Sequence, residues 1–133
     1  MRDLISRQGL QNEIEVLSRA TSYEEEGNGI YPPAQRKLQK EGVEMHAHRA
    51  RRITVEDAKT CDYIVAMEER NVLALRRIIG DGLMSKVSKL LDYTDNPHDI
   101  ADPWWTGNFD LTYDEIMLGC KGLLANLTGN ERY

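Results

Sequence analysis

Apolar positions along the chain change period several times, and each change marks a new element. Leu4, Ile5 and Leu10 form a partial apolar face, and Gly9 predicts that a first helix stops there. Glu13-Ile14-Glu15-Val16-Leu17-Ser18 alternates well enough to predict a short strand. A polar, Gly-rich loop runs from Tyr23 to Tyr31. Pro32-Pro33 then opens a helix through Leu38, with Gly42 as its stop. Thr54 and Asp57 have the spacing of a capping box, with Asp in place of Glu, and predict a short helix. Tyr63-Ile64-Val65-Ala66 has the character of a buried strand. Val72, Leu75, Ile78 and Ile79 share one helical face that Gly80-Asp81-Gly82 ends. Val87 to Leu91 predicts a further strand, interrupted by Ser88 and Lys89. Ile116, Leu123, Leu124 and Leu127 place an amphipathic helix at the C-terminus.

Helices alternating with short strands imply an α/β fold, a small parallel sheet flanked by helices on both faces. Ligands of such sheets bind beyond the carboxyl ends of the strands. The Tyr23–Tyr31 loop, the turn after Ala66 and the Asp92–Phe109 loop are expected at that rim. With 133 residues the chain reads as one domain, 1–133, of which 41% is hydrophobic and 29% charged, values typical of a globular protein. A net charge of -5 argues against a nucleic-acid partner. No apolar run reaches the roughly 18 residues of a membrane span, so no membrane partner is expected. Cys61 and Cys120 lie far apart, without a C-x-x-C, which suggests reduced thiols and a cytoplasmic setting.

Several stretches, in order, carry a family resemblance. They are Ser18-Arg19-Ala20-Thr21-Ser22; Gly27 through Pro32-Pro33-Ala34; His48-Arg49-Ala50-Arg51-Arg52-Ile53-Thr54; and Asp62-Tyr63-Ile64-Val65-Ala66-Met67-Glu68 with Asn71. Asp102-Pro103-Trp104-Trp105, Tyr113 and Cys120-Lys121-Gly122-Leu123-Leu124 complete the set. Together they resemble the low-molecular-weight protein tyrosine phosphatases.

That resemblance implies hydrolysis of phosphotyrosine through a cysteinyl-phosphate, without metal or cofactor. A thiolate attacks phosphorus, backbone N–H groups and an arginine cradle the phosphoryl oxygens, and an acid protonates the departing phenolate. Asp102 matches the acid, and the proline after it biases its backbone toward an extended conformation. Trp104 and Trp105 replace aromatic residues that border the substrate pocket, and Glu24 falls at the opposite wall. Ser18 and His48 match residues that hold the phosphate loop in shape. His46 and His48 have no further Cys or His nearby, so the pair reads as structural. Asp92, Asp95 and Asp99 read as a solvated loop.

The nucleophile is absent from these residues. Six positions after Cys61 comes Met67, and six after Cys120 comes Asn126, so neither cysteine begins a Cys-x5-Arg loop. By resemblance, the chain lacks an N-terminal strand that leads into that loop, and it reads as an N-terminal truncation, inactive alone. The absent strand would be interior, between Glu13–Ser18 and Tyr63–Ala66. An empty slot there costs about 1–3 kcal/mol for each dry unpaired backbone group. The sheet is therefore expected to close up, to borrow a strand by self-association, or to stay molten. The alternative is a non-catalytic binding or regulatory module on the same fold. A thiol-based arsenate reductase needs more cysteines than these two.

Overall fold

A computed structural model describes residues 1–21, 32–42, 51–100 and 106–129. Its helices are α1 (Arg2–Arg7), α2 (Pro32–Lys40), α3 (Val55–Thr60), α4 (Glu69–Ile79) and α5 (Phe109–Thr128). Strands β1 (Ile64–Ala66) and β2 (Val87–Lys89) pair in parallel, with Ile64 opposite Val87 and Ala66 opposite Lys89. Two 3-10 helices, Asp81–Lys86 and Leu90–Tyr93, flank β2. The α/β class expected from the sequence is the one observed.

Side chains cap several of the helix ends. Thr54 Oγ1 accepts the Asp57 N–H at 3.1 Å and Asp57 accepts the Thr54 N–H at 3.0 Å, the reciprocal pair anticipated for α3. At the other end of α3, the Lys86 ammonium donates to the carbonyls of Ala58, Lys59 and Cys61 at 2.9–3.1 Å. These are the carbonyls a helix end leaves without intrahelical partners, and a cation there also opposes the helix dipole. Asn108 Oδ1 accepts the Leu111 N–H at 3.0 Å, so α5 starts well before its apolar stripe becomes regular.

The pleat of β1 separates two cores. Ile64 and Ala66 join Ile53, Ala58, Leu75 and Ile79, under α3 and α4. Val65 turns the other way, to Leu90, Leu91, Ile100, Cys120 and Leu123, with Met1 and Leu4 of α1 at the margin. This is the period-2 alternation of a strand covered on both faces. On the α5 side the packing is closest at two glycines. A Cβ at Gly122 would sit 2.2 Å from the Tyr93 carbonyl oxygen, and one at Gly119 2.5 Å from Leu90 Cγ. Only glycine permits that approach.

One expected strand is not observed as such. Residues 11–13 form a turn, residues 14–19 join no ladder, and Ala20 alone bridges, in parallel, to Arg52. The Ala20 N–H donates to Arg51 O at 2.6 Å, and the Ile53 N–H donates to Ala20 O at 2.8 Å. Alternation alone does not make a strand; a neighbour must supply the ladder. Here side chains stand in. Arg2 Nε and Nη2 both donate to Val16 O, at 3.1 and 2.7 Å, and Arg19 Nη1 donates to Ser18 O at 2.9 Å. The strand expected from Val87 to Leu91 ends two residues early, because Asp92 accepts the Lys89 N–H at 2.8 Å and turns the chain into the second 3-10 helix.

Candidate functional site at the carboxyl ends of the strands

The rim beyond β1 and β2 is built by Met67 and Glu68, by Lys89, and by the segment 94–100 that crosses above them. Thr94 Oγ1 donates to Leu91 O at 2.7 Å and starts the crossing. Asp99 then holds two partners: Oδ2 accepts the Glu69 N–H at 3.1 Å, and Oδ1 accepts from Lys89 Nζ at 2.9 Å. The Ile100 N–H donates to Met67 O at 2.9 Å, and the Ile100 side chain is 2% exposed in the second core. His98 Nδ1 lies 2.8 Å from Asn96 O, and its Nε2 contacts the Glu115 carboxylate of α5.

The charges respond to this arrangement. The Glu69 N–H and the Lys89 ammonium hold the Asp99 carboxyl below the usual carboxylate range. Contact with Glu115, then with the Asn96 carbonyl, raises the His98 imidazole. Asp92, Asp95 and Asp99 are all exposed, as expected of a solvated loop, but Asp92 and Asp99 also hold partners in the rim. The pairing joins residues 10 to 30 positions apart, so no local pattern could have indicated it.

Ser18 lies where the irregular segment meets the bridge at Ala20. Its hydroxyl is exposed and has no partner among the described residues. Its neighbour Arg19 is fixed, with Nε 3.1 Å from Asp57 Oδ2. Burial works to raise the Asp57 carboxyl, but the Thr54 N–H and the Arg19 guanidinium outweigh it and keep it low. Glu24, His48, Asp102, Trp104 and Trp105 lie outside the described residues.

Neither cysteine begins a Cys-x5-Arg loop, and Cys120 also lacks the surroundings of a nucleophile. Cys61 caps the end of α3. Cys120 is buried in α5, and that burial pushes its thiol up, away from the reactive thiolate. Among the described residues no cluster of three His, Cys, Asp or Glu could hold a metal, and no helix is long and apolar enough to cross a membrane. A groove of about 640 Å³ lies between α1 and residues 11–17, lined by Arg2, Ile5, Ser6 and the irregular segment.

Known proteins share this architecture along nearly its whole length. Residues 1–132 match the family of low molecular weight phosphotyrosine protein phosphatases. The low molecular weight protein-tyrosine-phosphatase YfkJ of Bacillus subtilis is 34% identical over 128 residues, covering 95% of this chain and 82% of that protein. The low molecular weight phosphotyrosine protein phosphatase of Gallus gallus is 30% identical, covering 92% and 80%. The crystal structure of YfkJ superposes with a TM-score of 0.92 at 33% identity, covering 96% of this chain and 82% of that one. This α/β chain belongs to the low molecular weight phosphotyrosine protein phosphatase family.

Proposed function

We propose that residues 1–133 form a single phosphatase domain that serves phosphotyrosine monoester hydrolysis but cannot perform it alone. One observation carries this reading: a family match over residues 1–132 in a sequence with no Cys-x5-Arg. The thiolate of an added loop attacks phosphorus and forms the cysteinyl-phosphate as the P–O bond to the phenol breaks. Asp102 gives its proton to that phenolate, then takes one from the water that frees inorganic phosphate. Trp104, Trp105 and Glu24 border the ring of the substrate. Ser18 and His48 hold the phosphate loop, and the Ser18 hydroxyl, which has no partner among the described residues, supports that role.

In this reading the first strand and the phosphate loop come from outside these residues. Self-association, in which a second copy lends a strand, is the alternative source of the strand. Phosphotyrosine proteins or aryl phosphates are the substrates, the site is cytoplasmic, and neither metal nor other cofactor takes part.

The same observation also favours a second reading, a non-catalytic binding or regulatory module. Aryl phosphate turnover separates them. The chain alone is expected to stay at background. Joined to a family-type N-terminal segment, it is expected to hydrolyse para-nitrophenyl phosphate, and Asp102→Ala should then slow turnover at least about tenfold. An unchanged rate in that variant removes Asp102 as the acid. Saturable turnover by the chain alone overturns the proposal, and no turnover after joining favours the module.

A further inference from the structure

Helices α4 and α5 each carry large apolar side chains on their outer faces. Leu73 of α4 is 52% exposed, and Leu111 and Leu118 of α5 are 54% and 58% exposed. Around Leu73 stand Arg70, Arg76 and Arg77, at i−3, i+3 and i+4, all exposed. Arg70 pairs with Glu68 and Arg76 with Asp81, at 3.0 and 3.3 Å, whereas Arg77 has no ion-pair partner among the described residues. Glu69, the acid of that face, is held by Lys89. On α5, Leu111, Asp114, Glu115 and Leu118 stand at i, i+3, i+4 and i+7, four corners that can receive one side chain of a facing helix. Asp114 is exposed and has no ion-pair partner among the described residues, while Glu115 is turned to His98. We propose that α4 of one copy docks on α5 of a second copy, with Leu73 between Leu111 and Leu118 and Arg77 facing Asp114.

Charge complementarity selects this occupant. Copies of a chain with net charge -5 repel one another, so a basic stripe on one and an acidic stripe on another decide how they approach. The two faces cannot meet within one chain. Helix α4 packs on the first core through Leu75 and Ile79, and α5 on the second through Cys120 and Leu123, on opposite sides of β1. Because the faces differ, the contact is head-to-tail: each copy offers α4 to one neighbour and α5 to another. Such a contact does not close at two copies, so assembly continues past a dimer. One helix on one helix is a small interface, which makes the association weak and reversible. It uses neither the missing strand nor the catalytic residues.

Sedimentation equilibrium of the chain tests this, from about 20 µM to about 1 mM. The average mass is expected to rise steadily, without a plateau at twice the monomer. Leu73→Glu, Arg77→Glu and Asp114→Arg should each weaken association at least about tenfold. Arg51→Glu changes the net charge as much as Arg77→Glu but lies outside both helices, and it should weaken association less. An equimolar mixture of Arg77→Glu and Asp114→Arg should regain the parent behaviour, because the reversed charges meet at one contact and the native faces at the next. A parent that stays monomeric at the highest concentration overturns the proposal. So does a mixture that fails to recover, or an equal loss in Arg51→Glu. Association untouched by all three substitutions assigns it to strand exchange and overturns the proposal too. A monomeric parent that binds phosphatidylserine vesicles gives the α4 face to an anionic surface instead. Should a charge-reversed variant lose its cooperative far-UV melt, Arg77→Gln and Asp114→Asn take its place, with about threefold weakening expected and none overturning.

Discussion

Two stretches expected to be strands meet different fates. Ile64 to Ala66 lies in a ladder with β2 and between two cores. Ile14 to Arg19 has a comparable alternation, yet no backbone ladder among the described residues, and its Leu17 is 45% exposed. Both were expected to be strands, and their neighbours separate them. The first stretch is covered by helices on both faces, while the second is met by the side chains of α1 and its own Arg19. Guanidinium groups satisfy individual carbonyls there, but they bury little apolar surface.

The comparison is broken most severely from the core side. Leu124 is fully buried, and Leu124→Ala should cost about 2–5 kcal/mol in urea unfolding. Leu17→Ala, on the irregular stretch, should stay within about 0.5 kcal/mol. Similar costs at the two positions would mean that residues 14–19 are as well packed as the core.

A smaller effect tests whether side-chain caps matter equally in both regions. Lys86→Met removes the charged donor from three carbonyls at the end of α3 and should cost about 1–3 kcal/mol, measured in the same way. The apolar stem is retained in methionine, so the loss reports the ammonium.

The smallest effect sharpens the rim. His98 has a raised pKa in the folded chain, so folding favours its protonated form. That contribution is complete below the unfolded value of about 6.5 and is lost as pH rises through the raised folded value. The melting temperature of the parent should therefore exceed that of His98→Gln at pH 5.5, with the gap closing on the alkaline side. A gap that widens as pH rises would reverse the assignment.

Local chemistry was legible in the sequence. Thr54 with Asp57 announced α3, Gly80 marked the end of α4, and the apolar run at residues 63–66 announced β1 within one residue. The family was legible as well, because its motifs are short and ordered. Tertiary pairing was not. Asp99 looked like any acidic loop residue until Lys89 and Glu69 were brought beneath it, and the alternation at residues 13–18 could not declare whether a strand lay alongside. Of the site itself, Ser18 is the residue whose surroundings are described.

The two glycines of α5 have a consequence for how that helix is set. Glu115, Gly119 and Gly122 fall four and then three positions apart, so they form one stripe along the helix. With Gly119 against Leu90 and Gly122 against the Tyr93 carbonyl, no other stripe can face the second 3-10 helix without driving a side chain into it. The helix is thereby keyed against rotation about its own axis. That key presents Glu115 to His98, and a contact two turns away orients the carboxylate that meets the rim.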